Sequence, residues 1–258
     1  MRFQLSTPDA PVPPTCFSMK LPPKLISATL ERRYKRFLAD VVLDDGSRVT
    51  VHCPNTGAML GCDEPGSRVW LSTSDNPRRK YAHTWELVEV TGKTMPAGTI
   101  VGINSGRANR VVGEALEAGL IGELAGYPVV RSEVRYGERS RVDFLLQDDD
   151  KPDCFVEVKS VTLADGHGTG MFPDARSIRG IRHLRELMTV RASGARAINL
   201  FCVQRADVER VVPADHIDPD YGRALREAAQ AGVELLAWVC ALSPEEIRLE
   251  HPVPVLLP

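Results

Sequence analysis

The chain has 258 residues, 43% hydrophobic and 26% charged, with a formal net charge of -2. That is the size of one large or two ordinary domains and the composition of a soluble globular protein, not of a disordered or fibrous one. No segment approaches the roughly eighteen uncharged apolar residues of a membrane span, and the near-neutral charge provides no global field for nucleic acid, so the expected setting is cytoplasmic.

Charge is uneven along the chain. Residues 1–106 carry 13 Lys/Arg against 10 Asp/Glu, and the remainder carries 19 against 24, so an anionic ligand is expected at the first half or at a local patch of the second. Six cysteines (Cys16, Cys53, Cys62, Cys154, Cys202, Cys240) show no C-x-x-C pair, which favours reduced buried thiols over disulfides or zinc. His52, Cys53 and Cys62 in "VHCPNTGAMLGC" are metal-ligand types, but two thiols without a second pair make a weak zinc signature.

Residues 1–22, rich in Pro and Ser, read as an irregular leader. From Leu25 short β-runs follow one another: "LISATLERR", "YKRFLADVVL", "RVTVHC", "SRVWLST" and "TWELVEV", separated by "DDGS", "CDEPGS" and "SDNP". About five short strands with tight turns predict an oligonucleotide-binding (OB) barrel over residues 23–100. After residue 100 the texture becomes mixed. "NRVVGEALEA" has helical spacing, and "VVRSEVRY", "RVDFLLQ" and "CFVEVKSVTL" are strand-like. "ARSIRGIRHLRELMTVRAS" reads as a helix with Ile178, Ile181, Leu184, Leu187 and Met188 on its apolar stripe and Asp174 near its start. "ARAINLFCVQ", "DPDYGRALREAAQAG" and "VELLAWVCAL" then give strand, helix, strand. The order predicts an α/β domain with a mixed sheet over residues 101–258.

Within this domain the strand "VEVKS" places Glu157 and Lys159 on one face and its valines on the other. Buried charges are costly unless they are paired or hold a metal. If Asp143 of "RVDFLLQ" shares that face on the neighbouring strand, two carboxylates converge to bind Mg2+ or Mn2+, and Lys159 is placed to orient water or stabilise a phosphate. An Asp followed by Glu-x-Lys, with this order of helix, hairpin, helix and strand, is similar to the PD-(D/E)xK nuclease superfamily. Glu114 on the preceding helix is a candidate additional metal ligand, and equally a solvated helix residue; Glu133 is a further acid one strand earlier. The alternative for Asp143, Glu157 and Lys159 is a structural ion-pair network.

Candidate nucleic-acid contacts fall in three clusters. "ERRYKRF" interleaves Arg32, Arg33, Lys35 and Arg36 with Tyr34 and Phe37, and "NPRRKYAHTW" interleaves Arg78, Arg79 and Lys80 with Tyr81 and Trp85. Cations of this kind follow a phosphate backbone while aromatic faces stack on bases. On the helix after Glu-x-Lys, Ser177, Arg179, Arg182, His183 and Arg185 form a polar stripe able to neutralise phosphates. "VGINSGRANR" puts Asn104, Gly106, Arg107, Asn109 and Arg110 at a helix N-terminus, where an anion or a plain domain junction would fit.

The chain closely resembles the bacterial sugar fermentation stimulation protein A family. The likeness rests on "VTVHCPNTGAMLGCDEPGSRVWLSTSDNPRRKY", "CFVEVKSVTL", "FPDARSIRGIRHLRELM" and "VQRADVERVVPADHIDPDYG", and runs from about residue 24 to the C-terminus. It implies an N-terminal OB-like barrel, a C-terminal restriction-endonuclease-like domain, nonspecific DNA binding and a regulatory role in sugar, particularly maltose, catabolism. The expected function is therefore DNA binding, with RNA a further partner; the alternative is a Mg2+-dependent endo- or exonuclease acting on DNA or RNA. The two are compatible. A third alternative keeps the nuclease fold only as a binding scaffold.

Overall fold

The computed structural model describes residues 19–22, 24–92, 95–136 and 140–258. The leader expected at residues 1–22 lies outside the described residues up to residue 18, but its end is ordered. Strand β1 (Met19–Lys20) pairs with the last strand of the chain, and Met19 and Leu21 are buried.

The barrel is built from β2 (Ile26–Tyr34), β3 (Leu38–Leu43), β4 (Arg48–His52), β5 (Arg68–Thr73) and β6 (His83–Gly92), with β7 (Met95–Gly102) added to β6. Period-two alternation sends Ala28, Leu30, Ala39, Val41, Val51 and Val69 inward, because neighbouring strand residues point to opposite faces. The hairpin between β3 and β4 turns at Gly46, whose φ of +83° suits a residue without Cβ. The order β4-β3-β2-β5-β6 closes through a parallel contact of His52 with Thr84 into a five-stranded barrel. Strand β7 is not among the expected strands, because Pro96 and Gly98 hide its pattern.

The second domain begins with α1 (Ser105–Glu117), which starts several residues before the predicted helix because Asn104 caps it by accepting from Gly106 N. Then come β8 (Val129–Tyr136), β9 (Ser140–Asp148), β10 (Lys151–Val161), β11 (Leu163–Ala164), β12 (Thr169–Phe172), α2 (Ile178–Ala192), β13 (Arg196–Val203), β14 (Arg210–Pro213), α3 (Pro219–Gln230), β15 (Glu234–Leu242) and β16 (Glu246–Pro252). Seven strands form a mixed sheet in the order β1-β16-β15-β13-β10-β9-β8, parallel only across β10, β13 and β15. A three-stranded sheet, β11-β12-β14, flanks it.

The central sheet is buried on both faces. Val156 and Val158 of β10 pack with Val111, Val112 and Leu116 of α1. Val161 and Phe201 pack with Leu184 and Leu187 of α2 and Tyr221 and Leu225 of α3. Trp70 and Leu87 of the barrel belong to the α1 core, so the domains share apolar packing. One predicted core residue is misplaced: Ile178 is 85% exposed, because the inward stripe of α2 is Gly180, His183, Leu184 and Leu187. Asp174 does not cap α2; Ser177 does, accepting from Gly180 N. Asp218 caps α3 and also accepts from Ser177 N, tying the two helix starts together.

The five described cysteines are free and buried. Burial pushes the thiols of Cys62 and Cys154 up to about 12. Cys53 lies against the Met59 sulfur and Cys62 against the Thr162 carbonyl, so their polar contacts are within the protein. No described helix is long and apolar enough to cross a membrane.

Candidate active site

Strands β9 and β10 pair as far as Phe144↔Val156 and then part. One step further in this register sets Asp143 opposite Glu157, which puts the two acids at the fork. The Asp143 carboxylate fills the opening: Oδ2 accepts from Val158 N at 2.7 Å and Oδ1 from Asn109 Nδ2 of α1, also at 2.7 Å. Glu157 is 3% exposed and Lys159 9%. Glu157 Oε1 accepts from Lys159 Nζ at 2.6 Å and from His183 Nδ1 of α2. Arg179 Nε donates to His183 Nε2 at 3.2 Å. A guanidinium has no acceptor to offer, so this network assigns the His183 proton to Nδ1, where it donates to Glu157. The 3.4 Å approach of Lys159 Nζ to Nδ1 is then a contact between two donors.

The two acids are shifted in opposite directions. Burial, followed by the charge of Glu157, raises Asp143 to about 6, against the opposing effect of Val158 N–H, Lys159 and Asn109. Burial also pushes Glu157 up, but His183 and Lys159 outweigh it and the carboxyl ends below its ordinary range. Its second oxygen, Oε2, is buried without a hydrogen-bond partner among the described residues. A buried carboxylate oxygen without a donor, beside a second carboxylate destabilised by like charge, is what a hard divalent cation relieves. Asp143 and Glu157 therefore fit such an ion, its other positions being left to water and phosphate oxygens.

The expected third ligand is corrected. Glu114 accepts from Arg110 at 3.0 Å and lines a small pocket with Met19, Ile247 and Leu249. Among the described residues no group of three or more His, Cys, Asp or Glu side chains is arranged to hold a metal, so Glu114 does not complete the pair. Helix α1 presents Asn109 instead. Glu133 is exposed, with a φ of +55°.

The raised Asp143 predicts a pH-dependent cost. A carboxyl whose folded value lies above its unfolded value of 3.8 stabilises the fold while protonated and loses that contribution as pH rises through about 6. Without divalent ions, wild type is therefore expected to lose up to about 3 kcal/mol between about pH 4 and pH 7 through this group. In Asp143→Asn that pH dependence should be absent, although the amide, with one acceptor in place of two, sets its NH2 against Val158 N–H or Asn109 Nδ2 and lowers stability at every pH. Urea titrations from about pH 4 to 7 measure both effects.

The candidate nucleic-acid residues divide on inspection. Lys35, Arg36, Arg78, Arg79 and Lys80 are exposed, Phe37 is 49% exposed, and Lys80 lies over the Tyr81 ring. Arg32 is exposed but paired with Asp40, which also accepts from Tyr34 Oη. Arg33 is corrected: its guanidinium donates to the carbonyls of Asn55, Gly57 and Ala58 and builds a loop. Trp85 is fully buried, its indole donating to Leu87 O, and offers no stacking face. On α2, Arg179, Arg182 and Arg185 are exposed, whereas His183 faces the sheet and positions Glu157. The anion site considered at the start of α1 is a domain junction: Glu86 of β6 accepts from Arg107 Nε at 3.0 Å, Arg107 Nη2 at 2.8 Å and Asn104 Nδ2 at 2.8 Å.

Asn109 and His183 were visible in the sequence, but as anion or phosphate contacts. Asn199, the fully buried amide registered beside Glu157, is not among the expected site residues, although one amide inside "AINLFCV" is the same kind of signal as an acid in "FVEVKS".

Barrel, mixed sheet and forked acid pair define a two-domain protein that joins an OB fold to a restriction-endonuclease-type α/β domain. Family models agree on both parts: residues 32–103 match the SfsA N-terminal OB domain, and residues 106–246 match the Sugar fermentation stimulation protein RE domain. The chain belongs to the sugar fermentation stimulation protein family. A homolog from Shewanella loihica is 55% identical over 236 residues, covering 91% of this chain and 98% of its own. One from Thioalkalivibrio sulfidiphilus is 57% identical over 234 residues, covering 90% and 96%. A solved structure of Pyrococcus furiosus SfsA in complex with Ca2+ is similar with a TM-score of 0.82 and 27% identity, covering 92% of this chain and 98% of its own.

Proposed function

We propose that this protein binds DNA or RNA with little sequence preference and hydrolyses a phosphodiester bond at Asp143 and Glu157 with Mg2+ or Mn2+. The observation that carries the reading is the unpartnered, buried Glu157 Oε2 at the fork with Asp143. The Ca2+ of the Pyrococcus furiosus relative supports it, since Ca2+ and Mg2+ both seek oxygen ligands. A bound cation would supply Lewis acidity, activating water and polarising the phosphate. The protein's own groups do the rest. Asn109 and Val158 N–H orient Asp143, and His183 orients Glu157. Lys159 Nζ lies at the same carboxylate, ready to stabilise charge on the transferred phosphate. The exposed cations Arg179 and Arg182, with Lys35, Arg36, Arg78 and Lys80 of the barrel, contact the backbone.

A second reading, a DNA-binding regulator of sugar catabolism without chemistry, is favoured by one feature: both Asp143 oxygens and Glu157 Oε1 already have protein donors. Chelation separates the two. Affinity for nucleic acid should fall with salt by roughly 0.7–0.9 log unit per contacted phosphate per log unit of salt in either case. Cleavage of DNA or RNA that appears with Mg2+ or Mn2+ and vanishes with chelator supports hydrolysis. Binding without cleavage under any cation supports the regulator, and salt-insensitive binding contradicts both.

A further inference from the structure

Beside the acids, a cavity of about 240 Å3 lies between the two domains. Its sheet wall includes Val158, Lys159, Ser160 and Thr162 of β10; facing it are the barrel loop at residues 55–57, Ser105 of α1 and the segment at residues 171–177. Val158 is the residue whose N–H holds Asp143, so the strand that lines the cavity carries Glu157 and holds Asp143.

The barrel wall is pinned in place. Met59 N donates to Asp174 Oδ2 at 2.9 Å, Ser105 Oγ to Pro54 O at 3.0 Å and Asn55 Nδ2 to Ile103 O at 3.0 Å, while Arg33 clamps the loop carbonyls. Gly57 is as close as the chain permits, since a methyl there would overlap the Asp174 carboxylate. The space is therefore a fixed slot with Lys159, its ammonium held by Glu157, on its sheet side and Asp174, one carboxylate oxygen held by Met59 N, on its barrel side. At this volume it is below the roughly 300–1,000 Å3 of ordinary ligand sites, and a duplex, whose major groove alone is about 12 Å wide, cannot enter it.

We propose that this cavity receives a single unpaired nucleotide, its phosphate toward Lys159 and its base toward Asp174, whose carboxylate accepts from a base N–H. The inference rests on the reading of Asp143 and Glu157 as a phosphodiesterase site and specifies its substrate class: single-stranded nucleic acid or an unpaired strand end, not the interior of a paired duplex. Enzymes that act on single nucleotides pay for unpairing by holding the base in a fitted pocket.

Thr56 is exposed on the rim, so Thr56→Trp plugs the mouth without entering the core, and Thr56→Ala leaves it open. Calorimetric titration with deoxyadenosine monophosphate, and anisotropy with a short single strand and a blunt duplex, can be run on the full chain in chelator. The expected result is mononucleotide binding, and preference for single strand over duplex of about tenfold or more. Thr56→Trp should lose both, Thr56→Ala should keep both, and duplex affinity should be unchanged in each. Absence of mononucleotide binding, or affinities that Thr56→Trp leaves intact, overturns the proposal even if the protein proves a nuclease. Conversely, mononucleotide binding lost only in Thr56→Trp upholds the cavity even if no cleavage is found and the phosphodiesterase reading falls.

Discussion

Glu157→Gln is expected to lower cation-dependent cleavage by more than about 100-fold while leaving the fold and the salt-dependent affinity for nucleic acid intact. Gln retains the volume of the side chain and an acceptor for His183 and Lys159, but it removes the negative charge that draws a divalent ion to Oε2. Loss of a group that merely orients a ligand costs about 10- to 100-fold in metal affinity or activity, and loss of a ligand itself should exceed that. Lys159→Met tests the other half of the pair. It is expected to leave cation binding in place and to lower turnover, since the ammonium acts on the phosphate. Single-turnover cleavage with wild type and both variants, alongside anisotropy in chelator, separates chemistry from binding. Cleavage that survives Glu157→Gln at wild-type rate would show that the activity lies elsewhere.

The largest expected effect on stability is at the domain junction. Glu86 is 2% exposed and answered by two guanidinium hydrogen bonds from Arg107, with Ser72 and Asn104 completing its partners. Burial pushes the Glu86 carboxyl up, but Arg107, Ser72 and Asn104 together hold it below its ordinary value. Arg107→Ala leaves that carboxylate buried with only neutral donors, and breaking such a pair costs about 3–5 kcal/mol. Because Trp70 and Leu87 of the barrel lie in the α1 core, the loss should appear in the main unfolding transition, as a fall in Tm on the order of 10 °C. The sign of the pH dependence follows from the depressed Glu86. Wild type gains from this group above its unfolded value near 4.5 and loses that gain as the pH falls through the folded value. In Arg107→Ala the carboxyl rises instead, so the deficit should be greatest at neutral pH and shrink in acid. A deficit independent of pH would mean that Arg107 acts through packing alone.

What could be read from the sequence was what repeats at short range. The five β-runs of the barrel carry alternation and turn residues in plain view, and the Asp143, Glu157 and Lys159 set stands out because each charge interrupts an apolar strand. Elements without such a pattern were hidden. Strand β7 carries Pro96 and Gly98, and β1 is a two-residue strand whose partner, β16, lies at the other end of the chain. The ends of basic side chains were equally hard to assign. Arg33 and Arg36 look alike in "ERRYKRF", yet one clamps a loop from beneath and the other is exposed, a difference set by contacts more than twenty residues away, such as the 2.8 Å bond from Arg33 to Gly57 O. Helical spacing alone also put Ile178 inward and left His183 on the surface stripe; the turn of α2 begun by the Ser177 cap reverses both. The Glu114 error has a similar source, because a helix offers several faces and only packing shows that Asn109 is the residue turned to Asp143.

Titration of Mn2+ into the full chain by calorimetry, with Glu157→Gln and Asp143→Asn in parallel, tests the forked acid pair most directly. A single site per chain at neutral pH, weakening as Asp143 takes up its proton near pH 6 and lost in both variants, is the predicted result. Mn2+ binding that persists unchanged in the two variants, or none in wild type, would contradict it.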